Sequence, residues 1–232
     1  MYNSTLSSQH LANEQFNSTK DAFVAVVTNN NNNLVKICIL TFQGFNEIDS
    51  LVAFRMLKWL KKDNWDIRIC CPEAEVTSMG GLTIHAQATL EDAANADVVV
   101  VGSGNLTRDI VNDKDLMARI KLDPKRQIIA AQCSGTLMLA KLGLLDQVPA
   151  CTDSVTKPWV QEAGIEVLNQ PLFAKDNVAT AGGCLASAYL TAWLIAKLDN
   201  LETVKSALHY FAPVGEKDEF VEKALKNITP YF

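Results

Sequence analysis

The chain has 232 residues, 48% apolar and 20% charged, with a net charge of -5 at neutral pH. That length supports one large domain with a substantial core, and that apolar share excludes general disorder. With an acidic balance and no basic stripe, no nucleic-acid partner is expected, and with no apolar run long enough to span a bilayer, no membrane partner is expected. The N-terminus lacks a basic segment followed by an apolar core, so no secretory leader is expected. The six cysteines, at 38, 70, 71, 133, 151 and 184, lack the spacing of a disulfide-stapled module, and several lie in apolar, strand-like runs. A reduced, cytoplasmic chain is therefore expected. His10, His85 and His209 are far apart in sequence, so no zinc site is expected.

Residues 1–33 are rich in Asn, Ser, Thr and Gln and end in Asn29–Asn33, the composition of a flexible tail. The short apolar patch Ala22–Val27 carries no firm assignment. Residues 34–232 read as a single domain. Val35–Phe42 is predicted as a buried strand, Ile48–Leu60 as a helix and Asp66–Cys71 as a second strand. Val76–Ala88, with Gly80-Gly81 inside it, reads as a hairpin. Asp97–Val101 is nearly pure valine, the mark of a parallel strand covered on both faces. Thr107–Ile120 is predicted helical, Gln127–Gln132 a strand, and Ser134–Leu144 and Ser154–Ala163 helices. Leu172–Thr180 reads as a hairpin turning at Lys175-Asp176-Asn177. Helices over Gly183–Leu198, Glu202–Phe211 and Asp218–Asn227 complete the pattern. Strands alternating with helices imply an α/β fold: a three-layer, doubly wound, mostly parallel sheet with small hairpins.

In such sheets the reactive site lies beyond the carboxyl ends of the strands. Cys133 stands there, between the apolar run Gln127–Ala131 and the helical run that begins at Ser134. Ala131 and Gly135, two residues to either side, leave room for a sharp turn, so the junction reads as a nucleophile elbow carrying Cys. The competing reading is a cysteine that only packs. Asp49, between Ile48 and Leu51 at the start of the first helix, is either a proton carrier with a raised pKa or a helix cap. Glu47 is the second acid of that loop. Gly102-Ser103-Gly104 allows close approach of backbone, and the N–H groups of Ser103, Gly104 and Ser134 form a candidate oxyanion site. It is no dinucleotide fingerprint, because position 107 is Thr rather than Gly.

The chain resembles the ThiJ/PfpI superfamily, whose fold is flavodoxin-like and class I glutamine amidotransferase-like. The resemblance covers about residues 35–230. It is carried by Phe42 with Phe45-Asn46-Glu47-Ile48-Asp49, by Gly102–Arg108, by Ala131-Gln132-Cys133-Ser134-Gly135 and by Thr180-Ala181-Gly182-Gly183. Within the superfamily the chain is most similar to the isocyanide hydratase-like branch. That branch also includes ligand-binding domains fused to DNA-reading regulators. Here only one further helix follows, so no DNA-reading domain is expected. The resemblance implies Cys133 as nucleophile and Asp49 as the acid that shuttles a proton to it. Ser103 and Gly104 match a Gly-Gly pair beside the elbow. Ser134 stands where protease-like and chaperone-like branches carry His, so the thiol has no adjacent base and peptidase activity is not expected.

Cys151-Thr152-Asp153-Ser154 departs from the Thr-Thr-His-Trp of hydratase relatives. Thr152, Asp153, Gly183 and Cys184 are the candidate pocket residues, with simple packing as the competing reading for Cys184. The implied cycle needs no cofactor and no metal. A Cys133 thiolate, stabilised by the helix N-terminus, adds to an electrophilic carbon, and Asp49 moves the proton. An isocyanide would pass through a thioimidate to an N-formamide. Two other readings stand beside it: a glyoxalase or deglycase acting on 2-oxoaldehydes, and a redox-sensing or ligand-binding protein without turnover. The resemblance also implies a homodimer.

Overall fold

The computed structural model describes residues 34–232; the Asn-rich segment and its Ala22–Val27 patch lie outside the described residues. The strands are β1 (Val35–Leu40), β2 (Trp65–Cys71), β3 (Glu75–Thr77), β4 (Thr83–His85), β5 (Ala88–Thr89), β6 (Val98–Val101), β7 (Ile128–Gln132), β8 (Leu172–Lys175) and β9 (Val178–Ala181). The α-helices are α1 (Glu47–Trp59), α2 (Thr107–Asn112), α3 (Lys114–Arg119), α4 (Gly135–Lys141), α5 (Lys157–Glu162), α6 (Ser187–Leu198), α7 (Leu201–Phe211) and α8 (Lys217–Ile228).

Seven strands form one sheet in the order β5-β2-β1-β6-β7-β9-β8. All neighbours are parallel except the β8–β9 hairpin. The four valines of β6 are fully buried, as a central strand covered on both faces requires. Alternate residues divide the two faces. Cys38, Leu40, Val99, Val101, Ile129 and Ala131 pack with Leu137, Met138, Leu139 and Val160 of α4 and α5. On α1, Asp49, Ser50, Ala53, Met56 and Leu57 are buried, one stripe at helical spacing. That helix packs on α6, whose Trp193 is fully buried and which in turn meets α7 and α8. Among the described residues no helix is long and apolar enough to cross a membrane.

The expected mostly parallel α/β sheet is present, with five differences in detail. The predicted helix 107–120 is broken at Asp113, which is extended (ψ 99) and accepts hydrogen bonds from the Asp115 and Leu116 N–H groups. Its short side chain competes with the helix for backbone donors and starts a new helix instead. The predicted helix 134–144 stops at Lys141. The predicted helix 154–163 begins only at Lys157, because the Asp153 carboxylate holds the Val155 and Thr156 N–H groups in a turn. A 3-10 turn, Cys184–Ala186, precedes α6. Ala88 and Thr89 leave the hairpin to pair with Cys70 and Cys71 at the sheet edge.

Against the expectation of an unstapled chain, Cys38 and Cys70 are joined as a disulfide, with Cα atoms 5.8 Å apart. The pairing of Cys38 with Arg68 and of Leu40 with Cys70 makes the two cysteines diagonal neighbours on adjacent strands. Their sequence separation of 32 shows nothing of this.

Strand order reverses at β1. The chain steps outward to β2, then returns to β6 on the other side, so a crevice opens beyond the carboxyl ends of β1 and β6. The loops after these strands are laced together there. The Asn46 N–H donates to the Ser103 carbonyl at 2.8 Å, and the Asn105 N–H to the Gly44 carbonyl at 3.0 Å. A Cβ on Gly104 would stand 2.4 Å from the Gly44 carbonyl oxygen, so the approach requires glycine.

Candidate active site

Cys133 follows β7 with φ 47, a left-handed conformation that non-glycine residues rarely adopt. The strain is held from several sides. Its N–H donates to the Ala181 carbonyl at 2.8 Å. Its carbonyl accepts from the Thr136 N–H at 3.1 Å and the Thr152 hydroxyl at 2.7 Å. A Cβ on Gly135 would lie 2.6 Å from the carbonyl oxygens of Val101 and Gly102, so the elbow closes down on the neighbouring strand end.

Asp49 reaches the same point from α1. Its helix is capped by Asn46, whose side chain accepts from the Ile48 N–H, so Asp49 is not the cap. It is 1% exposed. Its Oδ2 accepts from the Ser103 hydroxyl. Its Oδ1 has no hydrogen-bond partner among the described residues. A carboxylate oxygen of Asp49 and the Sγ atoms of Cys133 and Cys184 all lie within 4.8 Å of one another. Cys184 arrives from the turn after β9, and Asn46 Nδ2 donates to its sulfur at 3.3 Å. Two thiols and a carboxylate are a donor set suited to a soft cation, although no histidine joins them.

Burial pushes the Cys133 thiol well above its ordinary value, and the facing Asp49 carboxylate and Cys184 push it further; only the Gln132 amide opposes them. These surroundings oppose the expected resting thiolate, because burial and a facing carboxylate both disfavour a charged sulfur. The helix that was to stabilise the thiolate, α4, spans only seven residues. Burial and Asp49 raise the Cys184 thiol as well.

Other predicted residues have different placements. The Gly104 N–H donates to Ser134 Oγ at 3.0 Å, so it is already occupied and is not a free oxyanion donor. The Ser134 hydroxyl also bonds Thr107 Oγ1 at 2.8 Å. Ser103 and Ser134 remain as candidate backbone donors. Glu47, the second acid, is bonded to Ser78 Oγ at 2.5 Å, and this bond holds its carboxyl below the usual range. It ties α1 to the β3–β4 hairpin and is unsuited to donate a proton. Thr152 lies under the elbow and Gly183 beside it, while Asp153 spends Oδ1 on its own turn.

Two site residues were not anticipated. Gln132 Nε2 donates to Cys133 Sγ at 3.4 Å and to the Gly183 carbonyl at 2.9 Å, linking nucleophile and pocket wall. Asn46 serves both the α1 cap and Cys184. A polar residue ending an otherwise apolar strand was the available signal for Gln132.

A ThiJ/PfpI family protein from Pseudomonas syringae is similar to the chain with a TM-score of 0.68 at 20% identity, over 84% of this chain and 88% of that one. A mutant of a DJ-1 superfamily protein from Salmonella typhimurium gives 0.65 at 22%, over 77% and 99%. Schizosaccharomyces pombe DJ-1 gives 0.66 at 15%, over 77% and 100%. At these identities the likeness shows the fold. No curated protein matches the chain. A sequence match to the DJ-1/PfpI family runs over residues 35–197, from the first strand to the last turn of α6. It takes in the elbow, the acid and both loops of the crevice, and the chain belongs to the DJ-1/PfpI family.

Proposed function

We propose that the protein is a cysteine-dependent enzyme that adds water to a small electrophile, with isocyanide hydration to an N-formamide as the specific reaction. The observation that carries this reading is the buried contact of the Asp49 carboxylate with the Cys133 thiol, within 4.8 Å. Burial and the facing carboxylate disfavour a thiolate, so in this reading attack and proton transfer go together. Cys133 Sγ bonds to the terminal isocyanide carbon as Asp49 takes the thiol proton and passes it to that carbon, giving a thioimidate. Asp49, again a carboxylate, takes a proton from water as the water oxygen attacks the thioimidate carbon. Asp49 delivers that proton to the imine nitrogen, the carbon–sulfur bond breaks as the carbonyl forms, the remaining hydroxyl proton passes through Asp49 to the sulfur, and the formamide leaves. Ser103 keeps Asp49 oriented, and Gln132 donates to the sulfur as charge develops.

Turnover of a small isocyanide panel by wild type, Cys133→Ala and Asp49→Asn tests the proposal. Loss in both variants is expected, and equal rates for all three would overturn it. A 2-oxoaldehyde activity is less well supported, because no histidine among the described residues joins the cluster; lactate formed from methylglyoxal would favour it. A second thiol, Cys184, gives the redox-sensing reading an observation of its own. Ser134, tied to Thr107 and Gly104, offers no base for a peptidase. The proposal includes a homodimer, supported by family membership, and a cytoplasmic setting, which the free thiols of Cys71, Cys133, Cys151 and Cys184 favour and the Cys38–Cys70 disulfide opposes.

A further inference from the structure

We propose that Cys184 is the resolving partner of Cys133: the pocket reduces a peroxide by joining these two sulfurs in an intramolecular disulfide. The inference rests on the reading of Cys133 as a reactive thiol. It does not depend on which electrophile the enzyme hydrates.

Geometry supplies the first argument. Both sulfurs lie within 4.8 Å of each other and of the same carboxylate oxygen. A disulfide needs them at about 2.05 Å. A change of staggered rotamer at either cysteine swings its sulfur by a distance of the order required. The two cysteines differ in freedom. Cys133 is fixed by the strand, the elbow and Thr152. Cys184 opens a three-residue 3-10 turn, is partly exposed, and is followed by Leu185 at 82% exposure. The residue before it, Gly183, has φ +85 and nothing within 4 Å of where a Cβ would stand. The moving partner is therefore Cys184, hinged at Gly183.

The polar surroundings supply the second argument. Each sulfur has one amide donor, Gln132 Nε2 on Cys133 and Asn46 Nδ2 on Cys184. Asp49, buried and with Oδ1 unpartnered among the described residues, faces both thiols and is a base for either. The other described cysteines lack these features. Cys38 and Cys70 are already joined, and Cys71 and Cys151 are buried with thiols pushed up to about 11 and about 12 by burial alone.

The chemistry balances with a peroxide as oxidant. Cys133 sulfur attacks one peroxide oxygen; the S–O bond forms and the O–O bond breaks. The thiol proton, relayed by Asp49, leaves with the second oxygen as water when the peroxide is hydrogen peroxide. Cys184 sulfur then attacks the Cys133 sulfenic acid. The S–S bond forms, the S–O bond breaks, and the hydroxide leaves with the Cys184 proton as a second water. Two thiols are oxidised and one peroxide is reduced. Without Cys184, the sulfenic acid stays open to a second peroxide and ends as the sulfinic acid.

The test treats the reduced full-length protein with stoichiometric hydrogen peroxide, caps free thiols and maps the peptides by mass spectrometry. The expected result is loss of both free thiols together, a linked Cys133–Cys184 peptide, and recovery with dithiothreitol. Cys184→Ser should yield Cys133 sulfinic acid that dithiothreitol does not recover. Wild type that accumulates Cys133 sulfinic acid while Cys184 stays free, or that links Cys133 to a second molecule, overturns the proposal even if the variant does not fold. Iodoacetamide labelling of Cys133 at alkaline pH separates the two readings. A Cys133 that labels but forms no disulfide sinks only the resolving role. A Cys133 inert to both reagents removes the reactive thiol and this proposal with it.

Discussion

Two pairs of cysteines lie across neighbouring strands of this sheet, and they differ in every respect that governs reactivity. Cys38 and Cys70 sit inside β1 and β2, within the apolar cluster, and are joined. Cys133 and Cys184 sit just past the ends of β7 and β9, where the chain leaves the ladder, and both face the Asp49 carboxylate. Inside these strands the backbone is spent on the ladder, and the two sulfurs are buried in the apolar cluster. Beyond the strand end, the backbone can take up a positive φ and amide side chains can turn toward sulfur. Burial alone does not distinguish a reactive thiol: Cys151 is as buried as Cys133, but no charge faces it.

The largest expected effect tests that last contrast. Cys133→Ala should lower isocyanide turnover roughly a thousandfold or more. Cys151→Ala should leave turnover within about twofold while costing some stability as a small core cavity opens. If both variants retained activity, the strand-end pair would lose its special status.

A second measurement isolates the carboxylate. Reactivity of Cys133 toward iodoacetamide should rise only at alkaline pH in wild type, because burial and Asp49 raise the thiol. Asp49→Asn removes the charge and keeps the shape. Proton loss from the thiol becomes easier, so the midpoint should move to lower pH while turnover falls. A midpoint unmoved or moved upward would break the assignment of Asp49 as the facing charge.

Ser103→Ala should lower turnover about tenfold, the effect of losing one hydrogen bond to a charged group. Its signature is a change in kcat with little change in KM, since Ser103 orients Asp49 rather than touching substrate. The smallest effect on activity belongs to the strand-interior pair. Cys38→Ser with Cys70→Ser should leave turnover within about twofold. It should cost about 2–4 kcal/mol of stability, read from denaturant unfolding, because the bridge closes a loop with a sequence separation of 32.

The regular parts of the molecule were legible in the sequence because their signals are local. Consecutive valines over residues 98–101 read as a doubly covered strand, and they are one. Alternation of strands and helices read as a mostly parallel sheet, and it is one. The misreadings fall where a side chain competes with the regular pattern. Asp113 breaks the helix predicted over 107–120, and Asp153 delays the helix predicted from 154 by holding a turn. The two-residue strand β5 has too little sequence to show a period.

The site divides in the same way. A cysteine on an apolar run followed by a small-residue turn, and an acid at the head of the first helix, could be picked out residue by residue. Gln132 left a local signal, a polar end to an apolar strand, whereas the bond from Asn46 to Cys184 joins residues 138 apart and left none.

The sequence by itself determined which segments alternate, where the sharp turn at Cys133 falls, and that an acid is available near a strand end. Only the tertiary structure decided which groups share a pocket. Reversal of strand order at β1 brings Asp49 and Ser103 to the elbow, and the close pass of Gly182 against Thr152 carries Cys184 in beside them. It also decided what surrounds the thiol. Ionisation of a thiol depends on burial and on charges within a few ångströms, and those distances exist only after residues 49, 133 and 184 have been folded together.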